Sequence, residues 1–287
     1  MILVTGATGG LGHQTIDVLL KTTPATKIAA LVRDLSKATD LVKRGVDVRQ
    51  ADYGDYPALM QAFRGVEKVL LVSAVAFTDR VRQHRNVIDA AQQAGVKHLF
   101  YTSIQRSTNF VMPEVTESDL ATEAYLKASG LTYTILKNGY YFEGLGYLIG
   151  SEVPDTEIRF PAGEGKIAFV KRTELAAATA ALLTSEGHDD QEYTLSGSEA
   201  YSFADIAREF SALAGRPISY QSIELSSYIA QQVAAGFPDF VANFLAQWGA
   251  AAQHGMLAGT LDTVERLLGR QPTSLREYLK TTYFPNT

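Results

Sequence analysis

Thr5-Gly6-Ala7-Thr8-Gly9-Gly10-Leu11-Gly12 follows directly on the apolar run Ile2-Leu3-Val4 and leads into Gln14-Thr15-Ile16-Asp17-Val18-Leu19. A strand that ends in a glycine-rich turn and opens a helix is the first step of a βαβ unit. Gly6 allows the tight turn, Gly9 lets the backbone approach a pyrophosphate with no Cβ in the way, and Gly12 lets the helix pack close to the sheet. Thr8, Gly10 and Leu11 complete the loop. The helix N-terminus behind it offers unpaired N–H donors and a partial positive charge, which suit a phosphate. The spacing is Gly-x-x-Gly-x-x-Gly, not the Gly-x-Gly-x-x-Gly of the standard dinucleotide fingerprint.

Outward from this loop, short apolar runs alternate with helical patterns. Strands are predicted over 2–5, 27–32, 46–50, 66–73, 97–102 and 131–136, with helices over 11–21, 36–44, 56–63, 78–94 and 116–128. Gly45, Gly65, Gly95 and Gly130 each fall just past a predicted helix, where a left-handed C-cap is needed. Near-continuous Val, Ile and Leu in the strands points to a parallel sheet covered on both faces. The fold class is therefore α/β, a doubly wound parallel (Rossmann) sheet. After about residue 140 Tyr, Phe, Gly and Pro become frequent. Helices are predicted there over 173–184, 203–214, 226–235, 239–253 and 261–268, with Thr173 as an N-cap, and a strand over 192–195. This gives a Rossmann domain over 1–140 and a smaller, mainly helical substrate-binding lobe over 141–287, with 190–197 free to rejoin the sheet.

The end of the second strand reads Ala30-Leu31-Val32-Arg33-Asp34, and Arg33 lies 21 residues past Gly12. An acidic residue there bonds a ribose 2′-OH, whereas an arginine accommodates a 2′-phosphate. Arg33 is the first polar residue, so the reading is NADP(H). Asp34 stays open between a ribose ligand and a helix N-cap, and Lys37 between a second phosphate cation and a solvated side chain.

Other classes are excluded. The chain has no cysteine, which removes disulfide scaffolds, thiolate metal sites and Cys nucleophiles, and which fits a reducing cytoplasm. His13, His84, His98, His188 and His254 include no i, i+4 pair, so no metal site is expected. A formal charge of −5 speaks against nucleic acid. The one basic cluster, Asp79-Arg80-Val81-Arg82-Gln83-His84-Arg85, reads as the solvated face of a helix. No apolar stretch is long enough for a membrane-spanning helix, and Met1 leads straight into a strand rather than a signal peptide. Ala162-Gly163-Glu164-Gly165-Lys166-Ile167 mimics part of a P-loop but reads better as a hairpin turn.

The sequence resembles the NmrA-like branch of the atypical short-chain dehydrogenase/reductases. Beyond the glycine loop the resemblance rests on Arg33, Ala51-Asp52-Tyr53-Gly54-Asp55, Gly95-Val96-Lys97-His98, Tyr101-Thr102-Ser103, Tyr133 to Tyr141, Gly165-Lys166-Ile167 and Arg172-Thr173-Glu174-Leu175-Ala176. It covers essentially the whole chain and looks most like the NADPH-dependent quinone oxidoreductases and triphenylmethane reductases of that branch. The resemblance implies that Gly6–Gly12 hold the pyrophosphate and Arg33 the 2′-phosphate. It implies that Asp52 and Tyr53 lie near the adenine and that Ser73 and Ala74 line the ribose. It implies that Asn138, Gly139, Tyr140 and Tyr141 border the nicotinamide and the substrate. Arg172 matches an arginine of the family pattern and is a cofactor-binding candidate, open against a surface residue before the helix.

Many short-chain dehydrogenases use Tyr-x-x-x-Lys, the Tyr protonating the carbonyl oxygen. The literal match here, Tyr133 to Lys137, falls on a predicted strand, where i and i+4 are about 13 Å apart. The helix that should carry the motif reads Ser118-Asp119-Leu120-Ala121-Thr122-Glu123-Ala124-Tyr125, with Asp119 where relatives carry His or Lys. Hydride delivery to a quinone gives a delocalised phenolate-type anion, which needs a dedicated acid far less than an alkoxide does. The expectation is an NADPH-dependent oxidoreductase acting by positioning on a small aromatic or quinone-like acceptor, with Asn138, Tyr140 and Tyr141 as candidate catalytic residues. The rival is a non-catalytic NADP-sensing regulator. An oligomer is left open.

Overall fold

The computed structural model describes residues 1–74, 79–113 and 115–285. The first elements in chain order are β1 (Ile2–Val4), α1 (Gly10–Leu19), β2 (Ile28–Val32), α2 (Thr39–Lys43), β3 (Asp47–Gln50), α3 (Tyr56–Ala62), β4 (Lys68–Leu71), α4 (Arg80–Gln93), β5 (His98–Ile104), α5 (Thr116–Ala128) and β6 (Thr132–Asn138). Next come α6 (Leu145–Ile149), β7 (Glu157–Arg159), β8 (Lys166–Ile167), α7 (Arg172–Thr184), β9 (Gln191–Leu195), β10 (Tyr201–Ser202) and α8 (Phe203–Ala214). The last are β11 (Ser219–Gln221), α9 (Leu225–Ala234), α10 (Asp239–Gln253), α11 (Thr263–Leu268) and α12 (Leu275–Tyr283).

The chain forms two compact units. The first comprises Met1–Ile104, Pro113–Asn138 and Arg172–Thr194. Its sheet has the strand order β3-β2-β1-β4-β5-β6-β9. β1 runs parallel to both β2 and β4, β2 to β3, β4 to β5 and β5 to β6. The order therefore reverses between β1 and β4, which places the ligand crevice of an open α/β sheet at their carboxyl ends. Every residue of β2 and β5 is buried, the signature of a sheet covered on both faces. Leu3, Leu31, Phe63, Leu71, Ile88 and Leu99 form part of one buried cluster, and each such side chain contributes about 1.5–3 kcal/mol on burial. The alanine-rich α7 packs on α1, small side chains allowing the close approach. It begins at Arg172, so Thr173, expected as its cap, is already inside the helix. β9 rejoins the sheet beside β6. The four glycines expected as C-caps all have positive φ.

The basic cluster departs from expectation. Arg82 is exposed, as expected of a solvated face. Arg80 and His84, one turn apart, face inward: His84 is fully buried and Arg80 is paired with Asp119. Their partners sit on α5, a long-range packing that local charge patterning does not encode. Thr78, the expected first residue of this helix, lies outside the described residues.

The second unit comprises Gln105–Met112, Gly139–Lys171 and Leu195–Thr287. The chain passes between the units at several points, where the sequence placed one boundary after residue 140. This unit is mainly helical. α8 opens with a capping box between Ser202 and Asp205 and ends on left-handed Gly215. The expected hairpin turn at 162–167 is present as a turn over 163–164, but its flanks do not pair with each other: β8, at its end, pairs antiparallel with β10, and β7 before it pairs parallel with β11. Strands of two and three residues carry too little pattern to pair by sequence alone.

Candidate functional site

The loop after β1 is shaped by its glycines. Gly6 has φ +58°, and its carbonyl accepts the Gly9 N–H at 2.8 Å. A Cβ on Gly12 would lie 2.5 Å from the Gly6 oxygen and 2.9 Å from that of Thr5. α1 starts with Gly9 as N-cap, no side-chain cap and no acidic residue in its first turn. Its first amides therefore stay available to an anion. Thr8 is exposed on the loop and Leu11 is buried. A Cβ on Gly10 would come 2.8 Å from Nη1 of Arg172, so that guanidinium lies over the first turn of α1. An open helix start beside a cation, on a glycine-rich loop, fits a pyrophosphate.

At the end of β2, Arg33 and Lys37 are exposed. Asp34 accepts from Ser36 N at 2.9 Å and from Ser36 Oγ at 2.6 Å, capping a short 3-10 turn over Leu35–Ala38. These hydrogen bonds hold its carboxyl below the usual range. Asp34 thus makes the cap expected of it, through Oδ1 in both hydrogen bonds. Asp52, in the turn after β3, accepts from Gly54 N at 2.7 Å, while Asp55 caps α3. The Tyr53 hydroxyl bonds Thr5 Oγ1 and donates to the Val72 carbonyl at 2.9 Å, which ties it to the ends of β1 and β4. Burial pushes this phenol well up, so it stays protonated.

Ser73 and Ala74 follow β4. Ser73 N–H donates to Thr102 Oγ1 at 2.8 Å and Ala74 N–H to His84 Nε2 at 2.9 Å. Thr5, Thr102 and His84 were not singled out from the sequence. The two threonines sit inside quoted motifs, and a hydroxyl at a strand end is the only signal they give.

α5 carries no free acid for catalysis in Asp119. That carboxylate is 1% exposed, accepts from Tyr101 Oη at 2.7 Å and pairs with Arg80 Nη2 at 2.7 Å. Glu123, one turn on, accepts from the Ser103 hydroxyl. Tyr133 and Lys137 are both on β6, as predicted, and Lys137 pairs with Glu192.

Asn138, the last residue of β6, is 4% exposed, and neither Oδ1 nor Nδ2 has a hydrogen-bond partner among the described residues. Leaving a buried polar group unpaired costs about 1–3 kcal/mol, and a group so placed suits a ligand that offers both a donor and an acceptor. In the second unit, Gly139 N–H donates to the Leu195 carbonyl at 2.8 Å. A Cβ on Gly139 would meet Gln105 Oε1, Ala168 O and Leu195 O at 3.1–3.2 Å. Tyr140 stands edge-on to Trp248 at 4.5 Å and to Phe169 at 5.8 Å, and burial pushes its hydroxyl well up. Tyr141 bridges to Val170, and Phe142 stacks on Phe169 and Tyr278. Tyr140, Phe142, Phe169, Trp248 and Tyr278 thus make an aromatic cluster in the second unit. Trp248 and Gln105 were not anticipated, since a lone Trp or Gln carries no local pattern. Among the described residues no group of three or more His, Asp or Glu could hold a metal ion, and no helix is long and apolar enough to cross a membrane.

A model of the NmrA-like family matches residues 1–280. Quinone oxidoreductase 2 of Escherichia coli is 40% identical over 279 residues, 96% of each chain. The NAD(P)H azoreductase of Xenophilus azovorans is 31% identical over 280 residues, 98% of this chain and 97% of the relative. Among solved structures, the NADPH-dependent quinone oxidoreductase from Escherichia coli complexed with NADPH superposes with a TM-score of 0.92 at 38% identity, covering 98% of this chain and 99% of that one. The Citrobacter triphenylmethane reductase complexed with NADP(H) gives 0.92 at 34% identity, covering 98% of this chain and 100% of that one.

Proposed function

The chain belongs to the NmrA-like family, and from that premise we propose that it is an NADPH-dependent reductase delivering hydride to quinones or related conjugated acceptors. The observation that carries this reading is 40% identity across 96% of both chains to a quinone oxidoreductase. The azoreductase and the triphenylmethane reductase extend it to other conjugated acceptors.

The cofactor, when bound, supplies a hydride from its nicotinamide ring. The chain does the rest. The backbone of Gly6, Thr8, Gly9, Gly10, Leu11 and Gly12 holds the pyrophosphate on the open start of α1, with Arg172 adding a cation. Arg33 binds the 2′-phosphate with Lys37 beside it, and Asp34, engaged by Ser36, does not compete for the ribose. Asp52 and Tyr53 border the adenine, and Ser73 and Ala74 the ribose. The orphaned amide of Asn138, with Gly139, orients the nicotinamide. Tyr140 and Tyr141 present an aromatic face to a flat acceptor, where stacking is worth about 0.5–1.5 kcal/mol beyond area burial.

Hydride transfer then needs positioning at about 3–3.5 Å more than it needs an acid. The engagement of Asp119 by Arg80 and Tyr101 supports a mechanism without a donor from that residue. The test is NADPH affinity and quinone-dependent NADPH oxidation measured on one preparation. Binding with turnover is expected. Tight binding with no acceleration by quinones, dyes or conjugated enones removes the reductase and leaves the sensor.

A further inference from the structure

Three successive amides after β4 are each taken by a side chain from a different element. Val72 N–H donates to Thr5 Oγ1 at 3.0 Å, Ser73 N–H to Thr102 Oγ1 at 2.8 Å, and Ala74 N–H to His84 Nε2 at 2.9 Å. The Val72 carbonyl accepts from Tyr53. Among the described residues no donor reaches the carbonyl oxygens of Ser73 or Ala74. The donors of this segment are spent on the protein. What it keeps for a ligand is acceptors, and acceptors match sugar hydroxyls rather than phosphates.

His84 is the least expected of the three anchors. A backbone amide only donates, so Nε2 carries no proton. Nδ1 carries it and donates to Thr122 Oγ1 at 2.9 Å, whose own proton goes to the Ser118 carbonyl at 2.8 Å. The ring is thus fixed at both ends as one neutral tautomer. Burial, and after it the Arg80 guanidinium, pushes His84 down to about 3. It therefore keeps its acceptor at any pH near neutrality.

We propose that His84 is a positioning residue for the reduction: its neutral imidazole sets the Ala74 peptide so that the Ser73 and Ala74 carbonyls receive ribose hydroxyls of the cofactor. The inference rests on the reading above, in which the cofactor runs along the loops after β1 and β4. A purely structural histidine would also be buried and satisfied, but its loss would lower stability without singling out one substrate.

The test uses the full chain with NADPH and a small benzoquinone. His84→Leu keeps the bulk and removes the acceptor. It should raise KM for NADPH about tenfold, the weight of one hydrogen bond, and leave KM for the quinone within about threefold. His84→Gln, which can place an acceptor near the Nε2 position, should bring KM for NADPH back to within about threefold of the unsubstituted protein. Thr122→Val keeps the ring but frees its tautomer, and should raise KM for NADPH in the same direction. An unchanged KM for NADPH in folded His84→Leu overturns the proposal, as does a His84→Gln variant as impaired as His84→Leu. If His84→Leu does not fold, Thr122→Val decides: an unchanged KM for NADPH overturns the proposal. Absence of NADPH binding by the unsubstituted protein defeats the functional reading, and this inference with it. Binding with insensitive variants defeats this inference alone.

Discussion

α1 and α5 both begin at the carboxyl edge of the first unit's sheet, and their first turns are built in opposite ways. α1 has a glycine cap, no acidic residue in its first turn, and Arg172 over its start. α5 has Glu117 and Asp119 in its first turn, with Asp119 bonded to Tyr101 and paired with Arg80. A helix N-terminus attracts negative charge. In α5 the chain supplies that charge itself and then neutralises it. In α1 the chain supplies none. On the function proposed above, the difference separates an anion site from a support, although both lie on one edge of one sheet.

The hardest blow to this contrast should fall on the support. Asp119→Ala leaves the guanidinium of Arg80, 12% exposed, without its buried partner. Removing one member of such a pair costs about 3–5 kcal/mol. Chemical denaturation should show that loss, while kcat of the folded fraction stays within about threefold. A hundredfold fall in kcat with stability intact would make Asp119 a catalytic acid and erase the contrast.

The second test strikes the anion site. In Gly12→Ala the new Cβ meets two backbone carbonyls, at 2.5 and 2.9 Å, and no rotamer relieves them. The loop must open, at about 3 kcal/mol, the upper end of ordinary overpacking. NADPH titration should show a loss of about a hundredfold. Unchanged affinity would mean that the start of α1 is not where the pyrophosphate sits.

The third asks where the ligand's remaining charge goes. Arg33→Ala should remove charge-assisted bonds worth about 1.5–3 kcal/mol and erase a preference for NADPH over NADH of at least about tenfold. Asp34→Ala should leave that preference within about threefold, because Ser36 already holds the carboxylate. Equal affinities in the unsubstituted protein would remove the 2′-phosphate assignment and return Asp34 to the ribose.

What the sequence could reveal follows the same divide. The glycines of the α1 loop answer to backbone geometry within eight residues, so their spacing exposes the turn and the helix start, while the parallel sheet shows in the apolar strands that alternate with helices. Tyr133 and Lys137 were placed on a strand by the apolar run around them, and β6 contains both. The choice for Asp34 stays open in the sequence because both roles use the same residue, and the cap shows only once Ser36 is in place. Arg80 and His84 were misjudged because their partners Asp119 and Thr122 lie 39 and 38 residues away. A run of charges looks solvated until the helix packed against it is known. The three side chains that hold Val72, Ser73 and Ala74 were illegible for the same reason, each arriving from a separate element.

The smallest expected effect belongs to the literal Tyr-x-x-x-Lys match. Tyr133 and Lys137 share a face of β6, but at strand spacing they are about 13 Å apart. Each is already placed elsewhere. The Tyr133 backbone exchanges hydrogen bonds with Asp190, its side chain packs against the buried cluster, and the Lys137 ammonium pairs with Glu192. Tyr133→Phe should therefore keep quinone-dependent NADPH oxidation within about threefold, against the 10²–10⁴-fold that a general acid contributes. Steady-state turnover with a benzoquinone, on protein checked for an unchanged melting temperature, measures this directly. A hundredfold loss would place the proton donor on β6, and the positioning mechanism would then have to give way to acid catalysis from the strand.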